Sequence, residues 1–143
     1  MLKLNGGEHE GKPFNLLPWQ CFIVGSVFGW QNSDGYRRFR MAYVESGKGS
    51  GKSPLAAGIA LYCLVADKEP RAEVYAAATK KDQAMILFRD AVAMVDQSPA
   101  LAQRINKSGG AGKSGTLRFF RPAHFSGLSV RMMGSQGHAH TVL

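Results

Sequence analysis

A short glycine-rich segment, residues 49–53 with the sequence GSGKS, contains the residue types that bind polyphosphate in proteins. Glycines let the main chain bend around an anion, so that backbone N–H groups can point at the phosphate oxygens. A lysine ammonium group can reach the terminal phosphates, and a serine hydroxyl can ligate Mg²⁺. The segment therefore predicts a phosphate-binding loop made of Gly49, Ser50, Gly51, Lys52 and Ser53, with Ser53 as a metal ligand.

The spacing departs from the usual phosphate-loop pattern at one position. That pattern has a further glycine five residues before Gly51, whereas this sequence has Ser46 there and its nearest glycine is Gly47. The alternative interpretation is a glycine-rich turn that contains a lysine and a serine by chance. A strand before the loop and a helix after it would favour phosphate binding.

The elements around the loop follow from hydrophobic patterning. Residues 41–45 (MAYVE) predict a buried strand, and the apolar run 54–66 predicts a helix buried on nearly all sides. Further along, residues 73–78 predict a second strand. A helix with one apolar stripe is predicted for residues 80–96, with Thr79 as its N-cap.

The other segments are shorter. Pro18 introduces a short buried helix, and an Asp-Gly pair at 34–35 predicts a turn. Two more strands are predicted at 116–120 and 128–133. Residues 108–115 contain a second Gly-Lys-Ser, but no long apolar helix follows it, so a hairpin loop is predicted there. The alternation of strands and helices predicts an α/β fold with a largely parallel sheet flanked by helices.

Composition is consistent with one intracellular domain. The 143 residues are 45% hydrophobic and 20% charged, which argues against disorder. Neither a membrane span nor a secretory signal is evident. Cys21 and Cys63 match no metal or redox spacing and are predicted to be reduced thiols. The net charge of +8 favours phosphate-rich partners, although a surplus of solvated lysines would give the same number.

With these residues located, the chain resembles the ATPase region of phage terminase large subunits from about residue 13 to residue 143. The resemblance rests on the order and spacing of several segments: PWQ at 18–20, FGW at 28–30, RRFR at 37–40, GKS at 51–53 and VYAAAT at 74–79. It implies a P-loop NTPase of the additional-strand type, incomplete here. Residues 1–12 precede the resemblance, and their polar, glycine-rich composition predicts a flexible lead-in. The resemblance also implies ATP and Mg²⁺ as ligands and double-stranded DNA, the portal protein and the terminase small subunit as partners. Homo-oligomer formation and a location in the bacterial host cytoplasm, without membrane contact, are further implications.

The resemblance also assigns residue roles. Gln20 matches a glutamine that reads the adenine base; the alternative is a glutamine on a helix surface. Lys52 would contact the terminal phosphates. Lys48 stands where related proteins often have an arginine that stabilises charge on the transferring phosphoryl group, so it is a candidate catalytic residue beside Lys52. A segment containing Thr79 and residues 81–83 is expected to link nucleotide state to DNA contact, although capping of a helix explains Thr79 equally well.

Hydrolysis of ATP by such proteins requires an acidic pair after an apolar strand. No apolar run in the sequence is followed by Asp-Glu. The resemblance implies that these acids would come directly after Leu143, so we expect a truncated domain in which binding survives better than turnover. Two alternatives remain open: a helicase-type ATPase, and a non-catalytic basic DNA-binding remnant.

Two further clusters have ordinary explanations as well as functional ones. His138 and His140 could ligate a metal or simply belong to a strand edge. Arg37, Arg38 and Arg40 could contact DNA phosphates or a neighbouring subunit, or form a solvated basic face.

Overall fold

The computed structural model of the chain describes residues 2–5, 9–67, 72–78, 81–108, 116–121 and 124–130. The described part contains helices and strands in an order close to the predicted one. They are helices α1 (Pro18–Val24), α2 (Lys52–Val65), α3 (Lys81–Asp96) and α4 (Pro99–Ala102), a π-helical turn (Gly25–Gly29), and strands β1 (Glu73–Ala76), β2 (Ile105–Ser108), β3 (Thr116–Arg121) and β4 (His124–Val130).

The four strands form one sheet in the order β1-β4-β3-β2. Strands β1 and β4 are parallel, with Val74 opposite Leu128, whereas the other two pairs are antiparallel. The prediction of a largely parallel sheet is therefore wrong for the described strands. Strands β2, β3 and β4 follow one another through short connections, which allow antiparallel pairing; a parallel pair needs a longer crossover, such as the one containing α3.

Two helices and the sheet enclose the core. Helix α2 is apolar on nearly all sides, as predicted, and it packs against both α3 and β1. The predicted stripe of α3 is also buried, including Phe88, Ala91, Met94 and Val95. These side chains meet Ala57, Ala60, Leu61 and Leu64 of α2 in a single cluster.

The N-terminal residues pack on the outer side of α2. Backbone hydrogen bonds join Leu4 to Lys12 and Phe14 to Leu2, each at 2.9 Å. The ring of Phe14 then lies so close to α2 that a Cβ at Gly58 would be 3.0 Å from it. Glycine within a helix is destabilising by roughly 1 kcal/mol relative to alanine, and here it permits this contact.

The predicted strand at residues 41–45 is not formed. The segment has no regular secondary structure and pairs with none of the described strands, and it is exposed: Met41 is 88% accessible and Tyr43 is 87% accessible. A strand needs a neighbouring backbone to satisfy its N–H and C=O groups. Apolar residues alone predicted this strand, and the described residues supply no such neighbour.

Several other predictions have a definite outcome. The turn at 34–35 is confirmed, with Gly35 in the left-handed region at φ +78°. Strand β4 begins four residues earlier than predicted. The antiparallel pairing of β2 with β3 agrees with the hairpin predicted around residues 108–115, although Ser108 itself belongs to β2 and residues 109–115 lie outside the described residues. Strand β2 itself was not predicted. Thr79, residues 131–133, His138, His140 and residues 139–143 lie outside the described residues.

Candidate functional site

The glycine-rich loop bends sharply where the sequence predicts it. Gly49 has φ +81° and Gly51 has φ +85°, both in the left-handed region that residues with a side chain rarely adopt. Gly51 is also the N-cap of α2, so the loop ends where the helix begins. The two glycines therefore fix the path of the chain into the helix.

The N-terminus of α2 faces this loop. Lys52 and Ser53 are its first two residues, and no side chain caps the helix. Pro54 follows in the first turn, where its missing N–H costs nothing because the first turn has no acceptor for it. The helix of 14 residues thus brings uncapped N–H groups and the positive end of its dipole to the loop.

The ammonium group of Lys52 is held by the loop itself. It donates to the carbonyl oxygens of Ser46 and Gly47, the latter at 2.7 Å, and lies 3.1 Å from the Ser46 hydroxyl. The hydroxyls of Ser46 and Ser50 are 2.7 Å apart. A cation and several oxygen atoms are therefore gathered inside the bend at the start of α2.

Gln20 connects α1 to the loop. Its side chain is only 2% exposed, so the alternative of a surface glutamine is wrong. Its Oε1 accepts a hydrogen bond from the Leu17 N–H at 2.9 Å, and its Nε2 donates to the Gly51 carbonyl oxygen at 3.3 Å. The first contact stabilises the start of α1, and the second fixes α1 against the loop.

The structure brings some predicted site residues together and leaves one apart. Gln20, Gly51 and Lys52 are in contact around the loop, whereas Lys48 is exposed in the turn before Gly49. Ser46 is the residue that sequence reasoning missed as a contributor. Its departure from the phosphate-loop pattern was the available signal, since a serine side chain has a hydroxyl that can form hydrogen bonds and glycine has no side chain.

Of the arginine cluster, one member has a structural role. Arg37 forms an ion pair with Asp67 just after α2, and its guanidinium lies 4.4 Å from the centre of the Phe28 ring. Phe28 in turn packs edge-on against Tyr62 of α2, with ring centres 4.9 Å apart. These contacts attach the segment that leads to the loop to the far end of α2.

The thiol of Cys63 lies beside this cluster. Burial, assisted by the negative charge of Asp67, raises its pKa, and Arg37 opposes this shift. Cys21 is exposed on α1, and both cysteines are free thiols.

Arg38 and Arg40 remain exposed. The guanidinium of Arg38 lies over the rings of Trp30 and Phe39, at 5.6 and 5.8 Å. These two positive charges therefore stay accessible from solvent.

No group of three or more His, Cys, Asp and Glu side chains in the described part of the chain could hold a metal ion. Among the helices described, none has the length and apolar character needed to cross a membrane.

A family model identifies the family of the chain, and a solved structure shows a similar fold. The family model described as "Terminase large subunit, ATPase domain" matches residues 18–120. A crystal structure of the HK97 bacteriophage large terminase is similar with a TM-score of 0.70 and 24% sequence identity, over 99% of this chain and 26% of that chain. The chain thus spans about a quarter of the length of that terminase, and at this identity the likeness shows a shared fold alone. No curated protein sequence is significantly similar.

Proposed function

Because this chain belongs to the family of terminase large subunit ATPase domains, we propose that it binds Mg-ATP at the loop formed by residues 46–53. The observation that carries the proposal is the position of the Lys52 ammonium, inside a bend made by two left-handed glycines at the uncapped N-terminus of α2. Helix N-termini and successive backbone N–H groups bind phosphate, and a lysine adds a full positive charge.

The residues present fit such a ligand. The exposed loop gives a polyphosphate access, and positive φ angles at Gly49 and Gly51 let the backbone pass close to phosphate oxygens. Lys52 would contact the terminal phosphates, and the Ser53 hydroxyl would ligate Mg²⁺, which neutralises charge on the phosphates when bound. The ligand would replace the loop oxygens that Lys52 contacts.

Gln20 is proposed to contact the adenine base, for which its buried side chain would have to become accessible. A side-chain amide has two N–H donors and two lone pairs on its oxygen. Within the described part of the chain, one donor and one lone pair are used, by the Gly51 carbonyl and the Leu17 N–H. The second N–H of Nε2 and the second lone pair of Oε1 together match the donor and acceptor on the edge of adenine. The same side chain would then connect base recognition to the loop.

Lys48 is proposed to approach the transferring phosphoryl group. Its exposed position on the loop suits a group that stabilises the charge developing on the phosphoryl group during transfer and adds little to nucleotide binding before that step. Lysine supplies the charge of the more usual arginine without its planar fork. Because the 143 residues contain no Asp-Glu pair after an apolar run, we expect ATP hydrolysis by this chain alone to be near background.

The larger role follows from the family. We propose that the chain is the nucleotide-binding part of a phage DNA-packaging motor, acting on double-stranded DNA together with a portal protein and a terminase small subunit in the bacterial cytoplasm. Membership in this family disfavours the helicase-type alternative.

A pair of lysines in one loop provides the test of nucleotide binding. Titration with a fluorescent ATP analogue in the presence of Mg²⁺ should give saturable binding to the wild-type protein. Lys52→Ala should weaken it by at least about tenfold, since a charge-assisted contact contributes about 1.5–3 kcal/mol. Lys48→Ala removes the same charge from the exposed turn and should change affinity by less than about threefold.

Two outcomes would reject the proposal. Negligible binding by all three proteins would favour the non-catalytic remnant. Equal losses in both variants would mean that net charge, rather than the position of Lys52, attracts the nucleotide.

A further inference from the structure

The hydroxyl group of Ser46 lies at the centre of the contacts that close the loop. It is 2.7 Å from the Ser50 hydroxyl and 3.1 Å from the Lys52 ammonium. The same ammonium donates to the main-chain carbonyls of Ser46 and Gly47 and is 3.4 Å from the Ser50 hydroxyl. Four oxygen atoms, two of them from Ser46, therefore surround one cation.

This arrangement depends on the residue type at position 46. A lysine ammonium has three N–H donors, and the four loop oxygens are enough to occupy all of them. Glycine, which the usual phosphate-loop pattern has here, would supply the carbonyl but neither the hydroxyl contact with Lys52 nor the bridge to Ser50. The side chain of Ser46 thus joins the start of the loop to its end.

We infer that Ser46 is a positioning residue that keeps the loop closed around Lys52, so that phosphate must displace the lysine from it. The inference rests on the proposed function for the site, because it concerns how that site opens. Lys52 cannot donate the same hydrogens to Ser46 and to a phosphate. Nucleotide binding therefore competes with the Ser46 contacts, and removing the hydroxyl should strengthen binding.

Affinity for an ATP analogue provides the first measurement. We expect Ser46→Ala to bind about three- to tenfold more tightly than wild type, because about one charge-assisted contact no longer has to be broken. Ser46→Thr retains the hydroxyl and should bind like wild type. Ser33→Ala, in the exposed turn at 31–37, removes a serine hydroxyl away from the loop and should have no effect.

Amide hydrogen exchange in the nucleotide-free protein provides a second measurement that does not require ATP. Loss of the Ser46 hydroxyl should raise exchange in residues 47–51 several-fold. Helix α3 should exchange at the wild-type rate in the same sample, which would show that Ser46→Ala is folded.

The two measurements separate the two ideas. If wild type binds ATP but Ser46→Ala binds equally or more weakly, the hydroxyl supports the bound state and the inference is wrong. Unchanged exchange in residues 47–51 would also overturn it. If no variant binds nucleotide, the proposed function fails, while exchange still decides whether Ser46 closes the loop.

Discussion

Gln20 and Gly51, 31 residues apart in sequence, meet at the start of α2: the glutamine Nε2 donates to the glycine carbonyl at 3.3 Å. A Cβ at Gly51 would lie 3.1 Å from the same nitrogen. Position 51 therefore has two independent requirements for glycine, a left-handed backbone and room for a buried amide. Gly49 shares the first requirement and lacks the second, since nothing lies within 4 Å of its Cβ position.

This difference predicts unequal effects of two alanine substitutions. Gly49→Ala should cost about 1–2 kcal/mol of unfolding free energy, from left-handed strain alone. Gly51→Ala should cost about 1 kcal/mol more, because the buried Gln20 amide must move. Chemical denaturation followed by circular dichroism measures both. Equal losses would mean that the Gln20 contact adds nothing.

The glutamine can be tested from its own side. Gln20→Ala should lower the unfolding free energy by about 2–3 kcal/mol, since it leaves the Leu17 N–H unpaired and opens a cavity beside α1. Gln20→Met fills similar space without hydrogen bonds, so it should recover the packing part of the loss. A methionine variant as unstable as the alanine variant would assign the whole effect to the two hydrogen bonds.

Replacing Arg37 should lower the free energy of unfolding more than replacing its neighbour Arg38. Arg37→Ala removes the half-buried ion pair with Asp67 and the contact with the Phe28 ring. The expected loss is about 1–2 kcal/mol. Arg38→Ala, whose side chain is exposed, should cost about 0.5 kcal/mol or less. Thermal unfolding of the two variants would reveal the difference, and equal midpoints would contradict it.

The carboxyl group of Asp90 should make the stability of the fold depend on pH. Burial raises the pKa of this carboxyl above its ordinary value of 3.8, and the hydrogen bond from Asn5 only partly opposes the shift. The folded state therefore binds the proton more tightly than the unfolded state. The resulting stabilisation is fully present below pH 3.8 and is lost as the pH rises through the folded-state pKa.

The substitution Asp90→Asn cannot ionise and keeps an oxygen for Asn5. It should be more stable than wild type at pH 7, with the difference shrinking as the pH falls towards 3.8. Unfolding measured by denaturant across this pH range checks the trend. Asp34→Asn, in an exposed turn, controls for the loss of one negative charge. A constant difference at every pH would contradict the prediction.

Arg38 and Arg40 are exposed before the loop, and a contact between them and DNA phosphates would be measurable. If Arg38 and Arg40 each neutralise one phosphate, replacing both by alanine should reduce the slope of log affinity against log salt by about 2. Replacing Lys3 and Lys12 removes the same charge from the N-terminal segment and should leave the slope unchanged. Fluorescence anisotropy with duplex DNA over a range of salt concentrations makes the comparison. Equal slopes in both variants would exclude a specific arginine contact.

Local pattern was sufficient for much of the fold. The apolar runs of α2 and α3 and the glycines before α2 predicted those elements, because a helix buried on most sides and a left-handed turn each have a local signature. The same is true of the Asp-Gly turn. The assignment of Lys52 and Ser53 to a phosphate site follows from the same signature and remains a proposal.

Contacts between distant segments were not accessible in this way. The strand predicted at residues 41–45 was wrong because strand formation depends on a neighbouring backbone, which no local pattern reports. The burial of Gln20 depends on a loop 31 residues away. Ser46 was passed over because its hydroxyl matters only after the chain has turned back to bring Lys52 against it.

The close approach of Phe14 to Gly58 has a practical consequence. Helix α2 begins in the glycine-rich loop and is supported on its outer side by contacts from residues 2–5 and 9–14. An affinity tag fused directly before Leu2, or removal of these residues for convenience of expression, should therefore loosen the helix whose first turn follows the proposed nucleotide-binding loop.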